Sequence, residues 1–259
     1  MTGSDKKDQG FSATSDGTAP QEFQDLDVSH FTIPGDAKGL IPRKNLDNDL
    51  TTTISMWAGT PVGRTDTFRL QWVRKGSDDW ANFTEHTYSN NDPLPMVFTI
   101  PTQFLLGTEN EGDFVLRYEH ENYLNVIEWS NPVPICIDKV PPNGVFAPER
   151  MVFDFSSPIT DATFGEHDYL EARIPPWAGD QTDVQVKFAW LKAELPEDPG
   201  DIVQIGPLPI SPYGTVQIPK TQVVAAGNGR CCGIYVLIDK AGNISRYSKY
   251  QLMDVALSQ

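Results

Sequence analysis

Basic residues and cysteines are scarce in this chain, and long apolar runs are missing. With 20 Lys and Arg against 35 Asp and Glu, the formal net charge is -15. That surface repels phosphate backbones and anionic lipid, which both need a basic patch for attraction, and so argues against nucleic-acid and membrane-surface binding. No segment approaches the roughly 18 apolar residues of a membrane helix, so membrane insertion is not expected. Met1 to Val28 lack the basic start and apolar run of a secretory signal. Their Gly, Ser, Thr, Asp and Gln content predicts a disordered tail over residues 1–28. No Gly-x-Ser-x-Gly elbow, His-Glu-x-x-His pair or kinase-type set is found, which leaves catalysis without positive support.

What the chain does have is 20 Gly and 21 Pro among 259 residues, a composition of short elements joined by turns. It also repeats itself. Trp72 aligns with Trp190, Ile100-Pro101 with Ile218-Pro219, Asn110 with Asn228, Asn125 with Asn243 and Ser130 with Ser248, every pair 118 positions apart. Upstream, Trp57-Ala58-Gly59 matches Trp177-Ala178-Gly179 at an offset of 120. A register held this long predicts two copies of one unit.

Within each copy the hydrophobic period is 2. Phe68, Leu70 and Trp72 alternate with Arg69 and Gln71, as Val186, Phe188 and Trp190 do with Lys187 and Ala189. Further alternating runs at Met96 to Ile100, Phe114 to Tyr118, Val216 to Ile218 and Ile234 to Ile238 are separated by turn residues. Short strands with a core Trp predict an all-β chain of two tandem Ig-like antiparallel β-sandwiches, over residues 29–140 and 141–259. Between them, Val140-Pro141-Pro142-Asn143-Gly144 reads as a linker stiffened toward polyproline II.

The stretch Tyr235-Val236-Leu237-Ile238-Asp239-Lys240-Ala241-Gly242-Asn243-Ile244-Ser245, with Asp138-Lys139-Val140-Pro141-Pro142, resembles the tandem Ig-like or fibronectin-like repeats of bacterial surface and secreted proteins. In the first unit, Glu121-Asn122-Tyr123-Leu124-Asn125 departs from that turn pattern. The resemblance implies adhesion or spacing at a surface or in secretion, without cofactor chemistry, and implies no particular ligand.

Candidate sites follow from where the copies differ. At a fixed offset of 118, Cys232 falls over Phe114 on the inward parity and Cys231 over Asp113 on the outward one, while Cys136 lies between inward Ile135 and Ile137. No facing pair exists within a unit, so three free thiols are expected, with a strained Cys231-Cys232 bridge or intermolecular pairing as alternatives. Glu119-His120-Glu121 cannot converge on one ion and reads as a solvated strand end. Trp80, Phe83 and Tyr88 have no aromatic counterpart in the second copy. Alternation places Trp80, Asn82, Thr84, His86 and Tyr88 on one face, a candidate surface for a protein or carbohydrate ligand. The competing reading is an edge strand whose Trp caps the core. For cations, Asp138 with Asp239 and Asn243, or Glu197, Asp198 and Asp201, could gather oxygens for Ca, although no cofactor is required and a solvated acidic loop is the preferred reading. The functional reading is a non-enzymatic binding or adhesion module. A structural spacer or subunit of a larger secreted or injected assembly is one alternative, and a toxin or enzyme with an unrecognised site another.

Overall fold

The computed structural model describes residues 24–54, 60–192, 195, 197–201 and 205–258. The first unit contains β1 (Leu50–Ile54), β2 (Thr65–Arg74), β3 (Ala81–Ser89), β4 (Met96–Ile100), a short helix α1 (Thr102–Leu106), β5 (Gly112–Glu121), β6 (Ile127–Trp129) and β7 (Val133–Ile137). The second contains β8 (Tyr169–Arg173), β9 (Gln185–Lys192), β10 (Ile205–Pro209), β11 (Thr215–Pro219), α2 (Lys220–Ala226), β12 (Gly229–Ile238) and β13 (Met253–Val255).

Among the described residues, strands of one unit pair only with strands of that unit. In the first, β1 pairs with β4, and β3-β2-β5-β6 form the facing sheet, with β7 also on β5. In the second, β11 pairs with β8 opposite β10-β9-β12-β13. All these ladders are antiparallel. Among the described residues, one parallel bridge closes each sandwich, Leu40 on Cys136 and Ile159 on Val255. Gly39 permits the first of these. Its φ is +67°, and a Cβ there would sit 2.2 Å from the Pro134 carbonyl oxygen, so only glycine lets the two backbones meet.

Each sandwich encloses its own core. Phe68, Leu70, Phe98, Ile100, Phe114 and Tyr118 are among the buried residues of the first, and Ile174, Val186, Phe188, Trp190, Ile218 and Tyr235 of the second. Pro101 and Pro219 precede α1 and α2, fixing the turn out of each Ile-Pro strand end. Trp72 and Trp190 occupy equivalent places with different burial. Trp190 lies opposite Gly233 and is fully buried, whereas Trp72 lies opposite Leu116 and is only partly covered.

Three expectations change in detail. Leu26, inside the segment expected to be a tail, is buried in the first core with Val28 packed against it; residues 1–23 lie outside the described residues, as does Trp57-Ala58-Gly59. The linker does not run extended, because Asn143 and Gly144 both have positive φ and Gly144 N–H donates to the Pro141 carbonyl at 2.8 Å, a tight turn in place of polyproline II.

The third concerns the repeat register, which is not uniform. Arg74 pairs with Phe114 and Lys192 with Cys231, so Cys231, not Cys232, lies over Phe114. Cys231 therefore packs in the main core. Cys232 joins Ala189, Ile234 and Val236 on the opposite face, under Leu191, Leu195, Tyr247 and Leu252. Both thiols are buried and all three cysteines are free.

Candidate functional site

The sequence candidates on β3 are divided by a bulge. Leu70 pairs with Thr84 but Gln71 pairs with Asn82, leaving Phe83 as the extra residue, and the side-chain alternation shifts there. Tyr88 consequently turns inward, buried and edge-on to Phe68 at 6.2 Å. His86 is exposed at the sandwich margin against Phe98, at 5.1 Å. Phe83 stacks on Trp72 at 5.7 Å. Trp80 and Asn82 remain on the outer face, so the four residues do not form one surface.

Around Trp80 and Asn82 the structure assembles partners that sequence reasoning missed. The Arg117 guanidinium lies 3.7 Å from the Trp80 ring centre and 5.2 Å from that of Trp129, a cation held between two indoles. Arg117 Nε donates to Gln71 Oε1 at 2.9 Å. Gln71 Nε2 in turn donates to Asn82 Oδ1 at 3.1 Å and Glu119 Oε2 at 3.0 Å. Alongside, Arg69 bonds Glu85, Glu119 and Glu121 at 2.6, 2.7 and 2.8 Å, and these carboxylates raise its pKa further. The outer sheet face is thus a fixed polar lattice with tryptophans at its border.

The β5–β6 hairpin extends that border with apolar side chains. Leu124 is 62% exposed and Trp129 50%, and Tyr123, Val126 and Ile127 are exposed as well. Ile127 and Trp129 lie opposite Glu121 and Glu119, which puts them on the lattice side of the sheet. Beneath the hairpin sits a buried carboxylate. Asp66 accepts from Thr60 Oγ1 at 2.6 Å and from the Tyr123 backbone N–H at 2.9 Å, and lies 3.2 Å from His120 Nε2. His120, expected to be a solvated strand end, is instead buried and stacked on Phe68 at 4.7 Å. Glu119 and Glu121 do alternate away from it, as read. The signal for Asp66 was available, since it shares the inward parity of Phe68 and Leu70.

At the junction of the units the structure brings Asp138, Asp239 and Asn243 together. Asn243 Nδ2 donates to the Asp138 carbonyl at 3.0 Å and to Asp239 Oδ2 at 2.9 Å. Asp239 Oδ1 accepts from the backbone N–H groups of Gly242 and Asn243, and Asp138 Oδ1 accepts from that of Val140 at 3.1 Å. Burial raises the Asp138 and Asp239 carboxyls above their usual range, with Asp180 adding to the first and Asp138 to the second. Among the described residues, no group of three or more His, Cys, Asp or Glu is arranged to hold a metal ion. The Asp239 and Asp138 carboxylates brace their own turns, and the units are tied by Asn243 Nδ2 on the Asp138 carbonyl, by Arg43 N–H on the Ala241 carbonyl at 2.7 Å and by Lys240 on Asp36 at 2.8 Å. Glu197, Asp198 and Asp201 are exposed; the Asp198 carbonyl accepts from the Tyr247 hydroxyl.

No family model and no curated protein matches the chain. Among solved structures it is similar to the fibronectin(III)-like modules of Clostridium thermocellum CbhA, at 13% identity and a TM-score of 0.39, over 82% of this chain and 87% of that one. It is also similar to the chicken CNTN1 FN1-FN3 domains, at 11% identity and a TM-score of 0.38, over 81% of this chain and 62% of that one. The two-sandwich architecture stands on its own strand pairing and cores.

Proposed function

We propose that the protein is a non-catalytic binding module whose first sandwich carries the recognition surface. The observation that carries this reading is the exposed apolar series Tyr123, Leu124, Val126, Ile127 and Trp129, continuous through Arg117 with Trp80. Solvent-facing aromatic and aliphatic side chains clustered on a rigid polar lattice suit a protein partner, because the lattice spares the partner the cost of ordering the surface. A carbohydrate is the other ligand class such tryptophans can stack against. Placement at a surface or in secretion belongs to the same proposal; among the described residues, no helix is long and apolar enough to cross a membrane.

A spacer role has an observation of its own, the three ties that link residues 36–43 and 138 to residues 239–243. The two readings separate at Trp129. Truncating a central aromatic anchor costs about 2 kcal/mol, roughly thirtyfold in Kd. Trp129→Ala and Trp80→Ala should therefore each weaken partner binding by about that factor, with thermal midpoints followed in parallel. Undiminished binding by both folded variants would leave the spacer reading standing.

A further inference from the structure

A second surface, separate from the first unit's outer face, lies where the units meet. A groove of about 520 Å³ has Asp138, Val140, Val145, Phe146, Asp180 and Asp239 in its lining. Its apolar wall is unusually open to water: Val140 is 57% exposed, Val145 70% and Phe146 73%. The turn that presents them is held in place. Asn143 exchanges backbone and side-chain bonds with Ala178 at 3.0 Å and donates from Nδ2 to the Phe146 carbonyl at 3.0 Å, so the three side chains project from a braced loop.

The charged part of its lining is of one sign. Asp138, Asp180 and Asp239 line the groove and no Lys or Arg does. Nearby lysines offset this charge only in part: Lys139 Nζ donates to the Leu105 and Gly107 carbonyls, and in the adjoining pocket Lys38 and Lys240 stand among Asp36, Asp138, Asp180, Asp183 and Asp239, with Lys38 drawing on Asp180 and Lys240 paired with Asp36 and Asp183. The shape takes an apolar side chain, an anion is repelled, and a neutral occupant leaves the excess of carboxylates over lysines unbalanced. A cation beside an apolar group satisfies both parts of the lining.

We infer that the junction groove docks a segment of a partner protein in which a lysine or arginine stands next to apolar residues, the apolar side chains packing on Val140, Val145 and Phe146 and the cation lying against Asp138, Asp180 and Asp239. Burial raises the Asp138 and Asp239 carboxyls above their usual range, and an incoming cation offsets this by favouring their ionised forms. Because residues before and after the linker both line the groove, occupancy also holds the junction in one arrangement.

The test uses the full chain and three blocked tripeptides, Leu-Lys-Leu, Leu-Gln-Leu and Leu-Glu-Leu, titrated while the backbone amide resonances of residues 138–146 and 178–180 are followed. The lysine peptide should shift these resonances, bind about tenfold tighter than the glutamine peptide, and weaken as salt is raised. The glutamate peptide should leave them unmoved. Phe146→Ala should weaken the lysine peptide, and Asp180→Asn should narrow its advantage over glutamine, both at exposed positions where the fold tolerates change. Equal binding of the lysine and glutamine peptides, or none at all, overturns the inference. So does a shift of the same resonances by calcium chloride alone, which would make the groove an ion site, or by raising protein concentration alone, which would make it a self-contact.

Discussion

Arg117 stacks face-on against Trp80, its guanidinium carbon 3.7 Å from the ring centre. The residue expected to be an exposed anchor is therefore half covered by its own sheet. Arg117→Met keeps the aliphatic stem and removes the cation, so stability should fall by about 0.5–2 kcal/mol. Trp80 should become more accessible, seen as a red shift and stronger acrylamide quenching of indole emission. Unchanged emission and stability would mean that the stack contributes nothing in solution.

The buried Asp66 carboxylate supports the recognition hairpin from below through the Tyr123 N–H. Asp66→Ala removes the buried acceptor of the Tyr123 N–H and the Thr60 hydroxyl and should cost about 3 kcal/mol. Asp66→Asn keeps an acceptor and should cost less. Hydrogen exchange at the Tyr123 amide should speed up in the alanine variant before global unfolding does; exchange tracking global stability alone would disconnect Asp66 from the hairpin.

Both adjacent cysteines face protein, one in each direction. Cys231→Ser and Cys232→Ser should each cost roughly 1–3 kcal/mol through burial of a hydroxyl, read by urea unfolding. A silent substitution at either position would contradict the two-sided burial of β12.

Burial lifts the Asp239 carboxyl above its ordinary 3.8, so folding favours its protonated form. Its penalty on stability is absent below that ordinary value and accrues as pH rises through the raised one. Asp239→Asn removes the titration. The thermal midpoint of the variant relative to the parent should thus rise between about pH 4 and pH 7. A constant difference, or one of opposite sign, would show that its hydrogen bonds outweigh burial.

The two sandwiches were legible because period-2 runs and the Trp72 and Trp190 strands survive in both copies. The register was legible only in part. Phe114 follows Ile100 by 14 positions, whereas its structural equivalent Cys231 follows Ile218 by 13, and the second copy regains the residue after its hairpin. Asn125 and Gly242 hold equivalent positive-φ positions, each donating its N–H three residues back, to Asn122 and Asp239; yet the Tyr118-Ser130 and Tyr235-Ser248 bonds again match. Compensating shifts of this kind are invisible to an alignment anchored on Asn125-Asn243 and Ser130-Ser248, and a one-residue slip reverses every facing. The bulge at Phe83 hid Tyr88 in the same way. Arg117 and Trp129 escaped notice because Arg117 meets Trp80 only across the paired strands β3, β2 and β5, and Trp129 joins them only through Arg117 from β6.

The most direct measurement compares charge insertion on the two units, scored by retention of a partner that the parent protein enriches. Leu124→Asp and Ile127→Asp place a carboxylate in the exposed hairpin, whereas Val224→Asp places one at an exposed position of α2 in the second unit. All three are surface changes expected to alter stability by less than about 0.5 kcal/mol. Recognition through the first sandwich predicts that the two hairpin variants lose the partner and Val224→Asp retains it. Retention by both hairpin variants, or loss confined to Val224→Asp, would contradict it.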